Sequence, residues 1–267
     1  MTFSLHENFN FGGGVENSYE ITSTASTTQK PHKSADVHLF ADKMSMPKFK
    51  NYIKRPRLNE ILEKSLTQFG TTLITGRTGT GKSALAANFA RQYEQARWFS
   101  VEAADCNWNI FSSYFTAIFD NLNSQKQVSE YKLNNSDAES GKISPLVENL
   151  ICEFDLTATG KPALIVLDDI HNVFDAEWFA EFFTTLLYSL TPNIHLLMLS
   201  RSNPSLPLWR LRSKQVLGVI DEKLLAFNLE ETKKIFKRYG LSAEAVTQTY
   251  RKSFGRISRL KTLAESL

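Results

Sequence analysis

One octapeptide constrains this chain more than any other feature. Gly76-Arg77-Thr78-Gly79-Thr80-Gly81-Lys82-Ser83 fits the pattern G-x-x-x-x-G-K-[ST] at every fixed position. It follows the apolar run TTLIT (71–75) and opens the helix-forming run SALAANFARQYEQA (83–96). Glycines let the backbone wrap closely, so that amide N–H groups converge on phosphate oxygens. A helix beginning near Lys82 adds the positive end of its dipole. Lys82 is suited to neutralise β- and γ-phosphates, and the Ser83 hydroxyl to reach a Mg2+ ion. A chance glycine loop would not have to lie between a strand and a helix, and this one does. The eight residues are therefore the candidate binding loop for a Mg-nucleoside triphosphate, with ATP and Mg2+ as the expected cofactors.

The rest of the chain repeats the strand–helix alternation. RWFSVEA (97–103), ALIVL (163–167) and IHLLML (194–199) read as strands, and all but the first are apolar throughout. RLNEILEKSL (57–66), NIFSSYFTAIFDNL (109–122), LVENLICEF (146–154) and AEWFAEFFTTLLYSL (176–190) carry apolar residues at helical spacing. Apolar strands alternating with helices predict an α/β fold, a doubly wound parallel sheet covered on both faces. Residues 1–45 are rich in Ser, Thr, Asn and Gly without an apolar period, and are expected to form a disordered leader. Residues 46–212 are expected to form the nucleotide-binding domain, interrupted by a polar insertion over 121–142. After Pro207 the pattern changes. Asn228 with Glu231 is a capping-box signal, and two further short helices follow, so 213–267 is expected to be a small helical segment.

Three polar positions follow apolar strands. Asp168 and Asp169 end ALIVL, where a nucleotide site needs a carboxylate opposite the serine to help hold the metal. Asp168 is assigned to Mg2+ through water, with Ser83 as its partner ligand. Asp169 is assigned to polarising the attacking water. Arg201 follows IHLLML; ligands gather at the carboxyl ends of parallel strands, so Arg201 can report on the γ-phosphate. Lys82, Asp168, Asp169 and Arg201 form the expected catalytic group. His171, just past the aspartates, can help order them or serve as a satisfied structural histidine; His195 is a weaker candidate than the aspartates and Arg201.

Composition narrows the class. No run approaches the roughly 18 apolar residues of a membrane span, and MTFSLHENFNFGGG has no basic region leading into an apolar one. Cys106 and Cys152 have neither metal-ligand spacing nor a disulfide framework, which predicts a reduced, cytoplasmic protein. From Arg201 to Leu267 there are fourteen Lys and Arg against six Asp and Glu, while the whole chain is only +3. The C-terminal quarter is thus basic, and either contacts acidic partners or carries solvated helix faces.

Four blocks resemble the nucleotide-binding domain of STAND ATPases, in particular the maltose-regulon activators and their LuxR-type relatives. These are IKRPRLNEIL (53–62), GRTGTGKS, RWFSVEAADCNWNIFSSYFTAIFDNL, and LIVLDDIH followed by LLMLSRSNPSLPLWRLRSKQVLGVIDEKLLAFNLEET. The last matches the family's D-D-x-H, S-R-x-x-P-x-L-P-L-x-R-L-R and L-x-F-x-x-x-E in order, and the likeness covers about 50–265. It implies a P-loop ATPase that hydrolyses ATP slowly and uses it as a conformational switch in transcription regulation. It also implies that Arg55 approaches the base and ribose. One departure is that the family's Gly-Trp pair reads Gly255-Arg256 here. Relatives continue into a helical-repeat sensor and often a DNA-binding helix-turn-helix; these 267 residues contain neither, so no specific DNA binding is expected of them. ATP and ADP are the expected ligands, with a protein partner or self-association through the switch. Two other readings are kept: a truncated, non-catalytic nucleotide-binding module, and an AAA-type motor ATPase assembled as a ring.

Overall fold

The computed structural model describes residues 39–49, 52–119, 142–157, 160–237 and 240–265. Most of the expected leader and of the polar insertion lies outside them. All described residues belong to one compact unit, Ser34–Leu267.

Five strands form the sheet: β1 (Thr71–Thr75), β2 (Ala96–Ser100), β3 (Ala163–Asp168), β4 (Ile194–Ser200) and β5 (Leu217–Ile220). Their order is β2-β3-β4-β1-β5, and every pairing is parallel. The apolar strands follow from this. Side chains alternate between faces, and in β3 Ala163, Ile165 and Leu167 enter one core while Leu164 and Val166 enter the other. β4 divides likewise, with Leu196 and Met198 on one side and Leu197 and Leu199 on the other. Both faces are covered, so most strand positions are apolar; Thr72 and His195 are accommodated by hydrogen bonds to Ser65 and Tyr93, and Asp168 and Ser200 come at the carboxyl ends.

α1 (Pro56–Phe69) buries Leu58, Leu62 and Leu66, a single stripe at four-residue spacing. Together with α2 (Lys82–Ala90) it covers the second face. α3 (Trp108–Ala117), α4 (Ile143–Thr157) and α5 (Phe179–Ser189) cover the first. There the aromatic residues interlock: Phe111 lies 4.5 Å from Trp178 and 4.8 Å edge-on from Phe182 between ring centroids. After β4 come α6 (Leu208–Ser213), β5, α7 (Glu222–Leu225) and three helices, α8 (Leu229–Phe236), α9 (Ala243–Ser253) and α10 (Ile257–Glu265). These last enclose a small core of their own from Phe227, Ile235, Phe236, Val246 and Leu260.

Two expected boundaries move. The C-terminal segment is not wholly helical from residue 213, because β5 completes the sheet beside β1. β5 has four residues, one of them glycine, which weakens a strand signal. The glycine is needed: a Cβ at Gly218 would come 2.2 Å from Ser65 Oγ and 2.8 Å from the Phe69 ring. The leader also ends earlier than residue 45. Leu39 packs into the first core, and Lys43 is buried with Nζ 2.7 Å from Asp105 Oδ1 and 4.2 Å above the Tyr114 ring. The sequence signal failed here because the burial rests on contacts with Glu102, Asp105 and Tyr114, distant in sequence, and not on an apolar period.

Candidate functional site

The loop 76–81 joins β1 to α2 at the carboxyl edge of the sheet. Gly76 N–H donates to Ser200 O, which ties the loop to the end of β4. Gly79 and Gly81 have φ of 79° and 89°, the left-handed region that favours glycine. Lys82 is buried, and its Nζ donates to Gly76 O at 2.6 Å and to Arg77 O at 3.3 Å. Burial pulls its pKa below the ordinary lysine range, with the charge of Arg201 acting in the same direction and Asp169 and Asp168 opposing. Thr80 Oγ1 also donates to Arg77 O.

Opposite the loop, Ser83 Oγ donates to Asp168 Oδ1 at 3.1 Å. The same oxygen accepts the Asp169 backbone N–H at 3.0 Å. Burial pushes Asp168 up to about 6, and the Asp169 charge adds to this; the Ser83 and Asp169 hydrogen bonds and the Lys82 charge only partly offset it. Asp169 takes a left-handed backbone conformation (φ 54°, ψ 34°), rare for a non-glycine residue. The two carboxylates thereby part. Asp168 turns to Ser83, whereas Asp169 Oδ1 lies 3.8 Å from Arg201 Nε and 3.6 Å from His171 Nδ1. Burial lowers the His171 pKa, with the Asp169 charge opposing. Lys82, Ser83, Asp168, Asp169 and Arg201, spread over 120 positions of sequence, are thus brought to one edge of the sheet. His195 lies elsewhere, bonded through Nδ1 to Tyr93 Oη.

Arg55 stands on the wall of a cavity of about 550 Å³ that runs from Gly79 and Gly81 to Leu85, Tyr52, Phe227 and Ile257. Its guanidinium is already engaged. It donates to Leu225 O and Ala226 O, pairs with Glu231 at 3.1 Å and lies 3.8 Å over the Phe227 ring. Burial would raise the Glu231 pKa, but the hydrogen bonds from Arg55 and the Asn228 amide, with the charges of Arg55 and Arg57, hold it below the ordinary range. Arg55 therefore ties the start of α1 to α8 and borders the cavity with its flank.

Sequence reasoning missed the residues that reach the loop from the C-terminal helices. A Cβ on Gly79 would stand 3.1 Å from Ser258 Cβ, and one on Gly81 3.8 Å from Ile257 Cγ2. Glu222 accepts the Arg77 backbone N–H at 3.2 Å. Nothing local marks these positions; only the tertiary fold sets them against the glycines.

Residues 55–199, more than half of the chain, match the family model described as the AAA ATPase domain. The chain belongs to this family. It is an ATPase domain of the P-loop kind, and it resembles the MalT-type regulators. It is 27% identical over 207 residues to the HTH-type transcriptional regulator MalT of Vibrio cholerae, which covers 76% of this chain and 22% of that protein. MalT of Yersinia pestis is 28% identical over 200 residues, covering 74% and 22%. This chain thus spans about a fifth of the length of these relatives. Among solved structures it is similar to a Walker-type ATPase of Pyrococcus abyssi, with a TM-score of 0.48 at 12% identity over 80% of this chain and 67% of that one. It is also similar to the replication initiator DnaA bound to AMPPCP and single-stranded DNA, with a TM-score of 0.42 at 16% identity over 81% and 62%. Among the described residues no helix is long and apolar enough to cross a membrane.

Proposed function

We propose that this domain binds Mg-ATP in the loop 76–83, hydrolyses it slowly, and uses the exchange of ATP for ADP as a conformational switch in transcription regulation. The observation that carries this reading is the pairing of Ser83 with Asp168 beneath a glycine loop that the C-terminal helices also touch.

Ser83 and Asp168 suit Mg2+. Both offer oxygen, the donor a hard cation takes, and the Asp168 carboxyl, its pKa pushed up to about 6 by burial, would gain from a cation beside it. Bound there, Mg2+ would supply neutralisation of charge on the β- and γ-phosphates. The chain's own groups do the rest. The N–H groups of 76–83 and the α2 dipole hold phosphate oxygens. Lys82 leaves the Gly76 and Arg77 carbonyls and turns to the phosphates. Asp169, free of the metal by virtue of its left-handed backbone, accepts a proton from the attacking water. Arg201 stands beside Asp169, where it can meet the γ-phosphate. The apolar cavity next to Gly79 and Gly81 would take the base, and Tyr52 Oη on its wall is buried without a hydrogen-bond partner among the described residues. Arg55 would shape that pocket by anchoring Phe227 and the 225–226 carbonyls.

The switch follows from contact. α10 rests on the loop glycines, so filling the loop changes what the C-terminal helices pack against. The regulatory output is carried over from the resemblance to the MalT regulators. Mass spectrometry of the nucleotide that co-purifies with the chain tests the reading: ADP or ATP supports it, and a purified chain that is empty and takes up neither defeats it.

A further inference from the structure

We propose that Glu222 is a positioning residue that clamps the C-terminal helices to the phosphate loop and sets how long ADP stays bound. This rests on the loop being a nucleotide site. Glu222 begins α7, the short helix between β5 and α8. One carboxylate oxygen, Oε2, accepts the Arg77 backbone N–H at 3.2 Å and lies 3.6 Å from Arg77 Nε. The other, Oε1, lies 2.7 Å from Arg256 Nη2. A single side chain therefore joins the first residue after Gly76 to the residue that opens the last helix.

The Arg256 end is held firmly. Gly255 has φ of 71°, and a Cβ there would stand 2.2 Å from Phe227 O. Its carbonyl accepts the Phe227 N–H, and its N–H donates to Ser253 Oγ. Only glycine fits this turn, and the turn launches Arg256 toward Glu222 while placing Ser258 against Gly79. The Arg256–Glu222 pair is only partly exposed, so water screens it less than a surface pair. With the bridge closed, α10 stays over the loop and a nucleotide beneath it must wait for the pair to open.

Release of N-methylanthraniloyl-ADP, followed by stopped-flow fluorescence, tests this. Glu222→Gln keeps an acceptor for the Arg77 N–H and removes the charge; Arg256→Gln leaves the Arg77 contact alone. Each is expected to speed release about fivefold, and the double variant no further than either single one, because both remove the same link. Arg256→Lys should restore slow release in part. Single-turnover cleavage of bound ATP should stay near wild type in Arg256→Gln, a split that general loosening of the fold would not give. Unchanged release in Arg256→Gln, or effects that multiply in the double variant, would overturn the proposal. Should Glu222→Gln fail to fold, Arg256→Gln decides alone. A wild-type chain that binds no N-methylanthraniloyl-ADP defeats the nucleotide reading itself, and this inference with it.

Discussion

Ser83 Oγ donates to Asp168 Oδ1 at 3.1 Å across a sequence separation of 85 residues. This bond ties the first turn of α2 to the end of β3, the two elements that carry the proposed metal ligands. The carboxyl partner is buried, and this has a consequence in pH.

Asp168 titrates near 6 in the folded chain against 3.8 as an unperturbed group. Between those values the folded state holds more protons than the unfolded one, so stability without ligand falls as pH rises from about 4 to 6. Two pKa units correspond to about 3 kcal/mol. Asp168→Asn should remove that slope from ligand-free melting curves. Mg-ATP affinity should run the opposite way, rising through pH 6 as the carboxylate forms. Parallel slopes in wild type and Asp168→Asn would show that burial of Asp168 is not what sets them.

Asp169→Asn should separate binding from cleavage. The amide keeps the shape but accepts a proton poorly, and loss of a general base costs on the order of a hundredfold to ten-thousandfold. The resting rate may be taken as that of a switch NTPase without its activator, roughly 10⁻⁴ to 10⁻² per second. Single-turnover hydrolysis of labelled ATP with equilibrium binding should find ATP retained on the variant and ADP on the wild type. Normal cleavage by Asp169→Asn with loss in Asp168→Asn would reverse the two roles.

Lys43→Ala should lower the melting temperature. It strands the Asp105 carboxylate, which is fully buried, and breaking a buried pair from one side costs about 3 kcal/mol or more. Deletion of residues 1–37 should leave the melting temperature near wild type, whereas deletion through 49 should lower it as Lys43→Ala does. Equal melting temperatures for the two deletions would place the start of the folded unit after residue 49.

The central sheet and the phosphate loop were legible because their signals are local. ALIVL is apolar from end to end, IHLLML is so but for His195, TTLIT is a short β-prone run, and GRTGTGKS carries its chemistry in eight consecutive residues. Asp168 and Arg201 stood out as candidates because each lies where an apolar run ends. β5 was missed because four residues with a central glycine show no period, and the glycine answers to Ser65 and Phe69, far away in sequence. The same holds for Lys43, whose partner is Asp105, and for Glu222, whose partners are Arg77 and Arg256. The resemblance implied that Arg55 approaches base and ribose, but its pairing with Glu231 was not legible, since no spacing links residues 176 positions apart. Lys82 was read as free for phosphate, yet here it also bonds the Gly76 and Arg77 carbonyls.

That lysine gives the most direct test of nucleotide binding. At 100 times its dissociation constant a ligand adds about 2.7 kcal/mol to stability. The melting temperature of the wild-type chain should rise accordingly with saturating Mg-ATP. Lys82→Ala should melt somewhat lower without ligand, having lost the bonds to Gly76 and Arg77, and should show no rise with Mg-ATP at the same concentration. A rise in Lys82→Ala equal to that of the wild type would contradict the assignment of residues 76–83 as the nucleotide site.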